Sequence, residues 1–258
     1  MRSTIDAKIC DSEMRQFLIL GVCLGTLQLL GARPTYAVTY LEQIDRLAAI
    51  NAALLDYRSV AVPGPRPKGM VELGVELGPV PRIDNTIGAK SEPVNTPPAA
   101  AKLHVNWSPI SGMRLGTFYI PPIMVQGIKA NMTGVDIEYG WRRKDFVGSF
   151  RMFYRDGLVT GPFTAPEVED RFKVSGAGAD MRLGWVAGKW IWYGGLGNGM
   201  NKTQFKLALD GAEITGERNY RYGFVGFGLT HGALTLVAEQ HRTESYLNNV
   251  LLGVSYAF

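Results

Sequence analysis

Cysteine is almost absent from this sequence. Its two cysteines, Cys10 and Cys23, both lie near the N-terminus, so the rest of the chain can form neither a disulfide nor a cysteine-ligated metal site. Long apolar runs are also missing: beyond residue 40 no stretch is long and apolar enough for a membrane-spanning helix. Charged residues make up only 19% of the chain, and the net charge of +4 is too small to indicate a nucleic-acid partner.

The N-terminal 37 residues have the pattern of a secretory signal peptide. Arg15 supplies the positive charge, residues 17–30 are apolar, and small residues at Thr35 and Ala37 predict cleavage after Ala37. Met14 is the expected start. Cleavage would remove four of the 27 basic and three of the 23 acidic residues, which leaves 23 against 20 and a net charge of +3.

Residues 38–69 are predicted to precede the main domain on the periplasmic side. Residues 39–57 form an amphipathic helix in this interpretation, because apolar residues from Leu41 to Leu55 recur every three or four positions. Such a helix could rest against the rim of the domain, fill its interior, lie on a membrane surface or pair as a coiled coil; the first is favoured. Pro63, Pro65 and Pro67 then indicate a stiff linker.

From Met70 onward the apolar period changes from helical to two. Val71, Leu73 and Val75, for example, alternate with Glu72, Gly74 and Glu76. Similar segments recur to the end of the chain and make about ten strands. The alternation is least clear over residues 190–199 and 218–230, which are rich in glycine and aromatic residues.

The connections between these segments alternate in length. Tight links fall near residues 108–112, 143–144, 187–189 and 230–233, and longer links near 79–99, 121–132, 156–170, 200–217 and 243–247. Transmembrane barrels have short periplasmic turns and longer external loops. We therefore predict an all-β fold: a transmembrane, antiparallel, up-and-down β-barrel of about ten strands over residues 70–258.

Aromatic residues mark one end of the predicted barrel. Four of the five tryptophans flank tight links, and the chain ends on an aromatic residue at the same level, so we expect a periplasmic aromatic girdle of Trp107, Trp141, Trp185, Trp190 and Phe258. Tyr119, Tyr154 and Tyr220 lie at the opposite strand ends and could form a second girdle.

The final strand has one wholly apolar face, formed by Val250, Leu252, Val254, Tyr256 and Phe258. It resembles the closing strand of bacterial outer-membrane β-barrels, whose terminal phenylalanine is part of their assembly signal. The resemblance implies an outer-membrane location, contact with membrane lipid and lipopolysaccharide, and recognition of this strand by the barrel-assembly machinery. It does not identify one family among these barrels.

The inner face of the predicted barrel carries charges of both signs. The expected lumen-lining residues are Glu72, Glu76, Lys102, His104, Arg114, Asp136, Glu138, Arg151, Asp180, Arg182, Arg221, Glu239 and His241. These charges could pair into a network that closes the interior, or they could line a narrow pore for small solutes. The leading functional hypothesis is therefore a small passive pore or a structural envelope protein, without an enzymatic role.

Two other functions stay open. Glu239, His241 and Ser245 lie close in sequence and could form a hydrolase site acting on lipid A or peptide. Barrel enzymes that deacylate lipid A keep a histidine and a serine two residues apart, however, and here the spacing differs, so no catalytic residue is assigned. The external loops, residues 200–217 above all, could serve adhesion. The glycine-rich run 194–199 lacks the lysine and the helix of a phosphate loop, and we expect no cofactor or metal.

Overall fold

The computed structural model describes residues 60–79, 99–125, 128–161, 168–206, 211, 213–243 and 247–258. The predicted signal peptide and the predicted helix over residues 39–57 lie outside these ranges. Among the described residues, no helix has the length and apolar character needed to cross a membrane.

The described residues form ten antiparallel strands, as the sequence predicted. Each strand pairs with its neighbour in sequence, and β1 pairs with β10, so that the sheet closes into a barrel without a crossover. The strands are β1 Val71–Pro79, β2 Ala99–Trp107, β3 Met113–Val125, β4 Ile128–Arg143, β5 Phe146–Gly161, β6 Asp170–Ala187, β7 Trp190–Lys206, β8 Glu213–His231, β9 Leu234–Thr243 and β10 Leu247–Ala257.

The alternation of side chains gives the barrel two different surfaces. Large apolar side chains such as Leu73, Val135 and Leu252 point outward and are about half exposed, whereas the charged residues between them point inward and are buried. An exposed apolar belt around a closed barrel has no favourable contact with water, because burying apolar surface is what stabilises a fold. The belt therefore indicates that lipid surrounds the barrel.

Four tight connections define one end of the barrel, which we call the turn side. Gly188 and Gly232 are each the first of the two residues that join consecutive strands there. Their φ angles are 62° and 61°, and this left-handed conformation favours glycine. Phe258 lies at the same end, where its backbone exchanges hydrogen bonds with Val71. The opposite end is the loop side.

The strands on the loop side are longer than the sequence predicted. β4 to β8 contain 16 to 19 residues, whereas about 9–11 tilted residues cross a bilayer. Most of the predicted links 121–132 and 200–217 are consequently strand, and their prediction as loops was wrong in extent. The reason is that the polarity of the two faces reverses there, although the strands continue. Beyond the lipid belt the outward side chains are polar, as at Lys202, and the inward ones are apolar, as at Phe205.

Candidate functional site

The barrel interior holds nearly all of the residues that the sequence singled out. Every expected lumen residue except Arg221 is buried inside the barrel, with at most 7% of its surface exposed. Arg221 is exposed on the outer face, because the inward positions of β8 are Tyr220, Tyr222 and Phe224. The placement of Arg221 in the lumen was therefore wrong, and so was the placement of Tyr220 in an outer girdle.

The first group of interior charges lies on β1 and β2. The Lys102 Nζ atom is 2.7 Å from a Glu76 carboxylate oxygen, and the His104 Nδ1 atom is 2.9 Å from the other oxygen. Asn106 donates a hydrogen bond of 2.9 Å to Glu72 in the layer nearer the turn side. Gly74 faces the His104 ring so closely that any side chain there would overlap it. These residues fill their part of the lumen with paired charges.

A second group joins β3 and β4. The Arg114 Nη2 atom lies 2.5 Å from Glu138 and 3.4 Å from Asp136, and all three side chains are buried. A buried charge is stable only when an opposite charge and hydrogen bonds replace the water it has lost. This arginine therefore serves as the counter-charge for two carboxylates.

A third group joins β5 and β6. Arg151 binds Asp180 through its Nη2 atom at 2.7 Å and its Nε atom at 3.1 Å. Arg182 reaches the second oxygen of Asp180 through its Nε atom at 3.2 Å, and the Tyr222 hydroxyl lies 3.1 Å from Asp180. Arg182 also lies over the Phe224 ring, 5.4 Å from its centroid. One carboxylate thus organises two arginines and a tyrosine.

Glu239 and His241, the residues of the hydrolase hypothesis, contact each other inside the lumen through the His241 Nε2 atom and a Glu239 carboxylate oxygen. The second Glu239 oxygen accepts a hydrogen bond of 2.6 Å from the Tyr193 hydroxyl, and the His241 ring stacks on Phe224 with centroids 5.3 Å apart. The pair is therefore enclosed by the barrel rather than presented at its outer rim. Ser245 lies outside the described residues.

The proline-rich segment before β1 also lies inside the barrel, which the sequence did not predict. We call residues 60–66 the lumen segment; Val60, Ala61 and Val62 are at most 3% exposed. Its backbone is held by the side chains of the wall: the Val60 amide donates to Glu76 at 2.8 Å, and Arg182 donates to the Ala61 carbonyl at 2.6 Å.

Glycines in the wall make room for the lumen segment. A side chain at residue 140 would overlap the carbonyl of Gly64, and one at residue 228 would overlap Val62. The segment is further tied to the turn side, where the Gly112 amide donates to the Arg66 carbonyl at 2.9 Å and Arg66 donates to the Val62 carbonyl at 3.1 Å. The wall and the segment are therefore complementary in shape as well as in hydrogen bonding.

The glycine-rich run on β7 has a packing role. Its inward glycines face the aromatic rings of β8, so that rings occupy the space where side chains would otherwise stand. The facing pairs are Gly195 with Phe224, Gly197 with Tyr222 and Gly199 with Tyr220. Tyr220 and Tyr222 stack at 5.8 Å, and Arg155 donates to the Tyr220 hydroxyl at 3.2 Å. Sequence reasoning missed this packing of rings against glycines, because the hydropathy of glycine does not show which face of a strand points inward.

The aromatic girdle lies at the turn side. Trp107, Trp141, Trp190 and Phe258 are exposed there, and Trp185 is half-buried. Tyr119 and Tyr154 are exposed nearer the loop side. Among the described residues, no three histidine, cysteine, aspartate or glutamate side chains converge as metal ligands would. The interior groups can thus bind one another and the lumen segment, and their chemistry in this arrangement is that of ion pairing.

No protein-family model matches the sequence, and no curated protein does. Solved structures similar to this chain are bacterial outer-membrane β-barrels. The outer membrane protease OmpT from Escherichia coli is 11% identical, with 74% of this chain and 94% of that chain covered and a TM-score of 0.42. The translocator domain of autotransporter NalP from Neisseria meningitidis is also 11% identical, with 84% and 95% covered and a TM-score of 0.37. The attachment invasion locus protein of Yersinia pestis is 12% identical, with 74% and 99% covered and a TM-score of 0.30. These likenesses concern the fold alone.

Proposed function

We propose that this chain is an outer-membrane protein with a closed lumen, and that it acts as a structural, non-enzymatic barrel of the envelope rather than as an open pore. The observation that carries this proposal is the lumen segment, which occupies the interior at the turn side. Its Val60–Val62 portion contacts Glu76 of β1 and Arg182 of β6, and so bridges strands on different sides of the barrel.

The charges beyond the lumen segment support the same conclusion. A water-filled pore needs charged side chains that face water, with acidic and basic walls held apart. Here Glu76, Arg151 and Arg182 are at most 1% exposed, and each contacts a group of opposite charge. The inner charges are thus used to neutralise one another, which is the arrangement expected of a sealed interior.

The outer surface supports the location of this barrel. The apolar belt and the turn-side aromatic residues suit a bilayer, and β10 closes the barrel against β1. In this proposal, membrane lipid and lipopolysaccharide surround the belt, and the barrel-assembly machinery recognises the closing strand.

Solute flux into proteoliposomes tests this proposal. Vesicles that contain the full chain should swell in small sugars no faster than protein-free vesicles, because in this proposal the lumen segment and the paired charges close the interior. The proportion of folded barrel is checked on the same vesicles by heat-dependent migration on a gel. Swelling that depends on sugar size and on the amount of folded protein would show an open pore. Hydrolysis of lipid A or of peptides that is lost in His241→Ala would show an enzyme instead.

A further inference from the structure

Basic side chains cluster on the outer wall of the barrel where the apolar belt ends. On β7, the outward Met200 is followed by Lys202 and Lys206 at outward positions; on β6, outward Lys173 and Arg171 lie beyond Ala177 on the loop side. We call Arg171, Lys173, Lys202 and Lys206 the cationic patch. All four are exposed. The patch therefore begins just above the level of the lipid tails and extends toward the loop side on the outer wall.

The geometry of the sheet forces two of these charges together. Arg171 of β6 lies directly opposite Lys206 of β7 in the strand register. Directly opposed residues on one face of an antiparallel pair have Cβ atoms about 4.5–5.5 Å apart, and like charges at such positions destabilise the sheet. A sheet that keeps this pair gains stability from an anion that binds between the two side chains.

Nearby carboxylates satisfy the patch only in part. Asp156 lies 4.0 Å from Lys173, and Glu217 is opposite Lys202 in the register. Glu213 is opposite Lys206 and accepts a hydrogen bond from Gln204. Among the described residues, neither Arg171 nor Lys206 has an ion-pair partner. Among the four patch residues, the excess positive charge therefore falls on Arg171, which faces Thr160 on one side and Lys206 on the other.

We infer that the cationic patch binds the phosphate-bearing headgroup of an outer-leaflet lipid. Basic residues beside a membrane attract anionic headgroups, and an arginine can bind a phosphate through two hydrogen bonds while a lysine adds a point charge. A lipid is favoured over a soluble anion because the patch lies on the side of the wall and begins at Lys202, two residues beyond Met200, where a lipid whose tails contact the belt places its headgroup. This inference does not depend on whether the lumen conducts.

Binding of lipid A to the purified full chain in a neutral detergent tests this inference. The variant Arg171→Gln/Lys206→Gln removes the opposed pair, and the matched control Lys144→Gln/Lys189→Gln removes the same charge from exposed turn-side positions. Each basic residue at a membrane surface contributes about 1 kcal/mol, or about a fivefold change in affinity. The patch variant should therefore bind diphosphorylated lipid A about 25-fold more weakly, and the control should bind it as the unchanged chain does.

Further measurements distinguish lipid from other anions. Lipid A stripped of its phosphates should bind the unchanged chain as weakly as the patch variant binds the intact lipid. Inorganic phosphate should not compete at similar concentrations, because it lacks tails for the belt, and added salt should weaken binding.

The single variant Lys206→Gln controls for misfolding of the double variant. Because it keeps Arg171, it should weaken lipid A binding by a smaller factor, about fivefold. Equal affinity of the patch variant and the unchanged chain would overturn the inference. So would an equal loss in the control, or patch-dependent binding of heparin without patch-dependent binding of lipid A.

Discussion

Cross-linking the lumen segment to the wall should be efficient if Val62 lies where the structure places it. The Val62 Cβ atom is 3.7 Å from the position that a Cβ atom would take at residue 228. Cysteines joined by a disulfide have Cβ atoms about 3.5–4.5 Å apart, so Val62→Cys/Gly228→Cys should oxidise without moving the backbone. Replacement of Cys10 and Cys23 by serine leaves these two as the only thiols in the chain.

The expected stabilisation follows from the length of chain that the disulfide closes. Residues 62 and 228 are far apart in sequence, and the loop-closure relation gives an upper value of about 5 kcal/mol for a loop of this size. The disulfide is detected as faster gel migration of the denatured, non-reduced protein. Its stabilising effect is measured as a denaturant midpoint that is higher before reduction than after it.

A second cysteine pair controls for chance collision. Val62→Cys/Val225→Cys uses the same strand, but Val225 is 60% exposed on the outer face. This pair should stay reduced, because the sheet itself separates the two thiols. Oxidation of both pairs to the same extent, or of neither, would refute the placement of the lumen segment inside the barrel.

The buried charges and the lipid belt give further predictions. Lys102→Met should lower the free energy of unfolding by about 3–5 kcal/mol because it leaves Glu76 buried without its lysine, whereas Lys173→Met breaks only an exposed pair and should cost about 0–1 kcal/mol. Leu252→Arg should cost about 2–4 kcal/mol by placing a charge on the lipid face, against about 0–1 kcal/mol for Met200→Arg at the edge of the belt. Denaturant titration in lipid vesicles measures all four, and equal costs within either pair would contradict the assigned surroundings. Gly197→Val should displace the aromatic ring that faces it and cost about 1–3 kcal/mol; an unchanged midpoint would contradict the packing of β7 against β8.

The sequence predicted the barrel best where one face of a strand is apolar and the other polar. In β1, Glu72 and Glu76 alternate with Leu73 and Val75, so the inward face is unambiguous, and the structure buries both glutamates. The charged lumen residues of β2 to β6 were found in the same way. Period two is informative whenever lipid lies on one side of the wall and polar groups on the other.

The same reasoning failed on β8, where both faces carry large apolar side chains. Tyr222 and Phe224 point inward, and Val225 and Phe227 point outward, so hydropathy does not distinguish the faces. The assignment of Arg221 to the lumen followed from that ambiguity. Only the pairing with the β7 glycines, which is a property of two strands together, decides which aromatic residues can fit inside.

The lumen segment could not be read from local sequence either. Proline-rich residues 63–67 have the same composition in an extended linker and in an extended segment held by side chains. The position of the lumen segment depends on Glu76 and Arg182, which are distant in sequence and hydrogen-bond to Val60 and Ala61. It depends also on glycines of β4 and β8 that make room for Gly64 and Val62. Complementarity of this kind appears only once the barrel is closed.

Electrical recording in a planar bilayer tests the closed lumen most directly. Full-length protein, whose folded state is verified by its heat-dependent migration on a gel, should give no ohmic steps after insertion. The reason is that the lumen segment and the paired charges of β1 to β6 and β9 fill the interior. Regular steps whose number rises with the amount of folded protein, and whose ion selectivity changes in Arg151→Glu, would contradict this account and show that the charged interior is a water-filled pore.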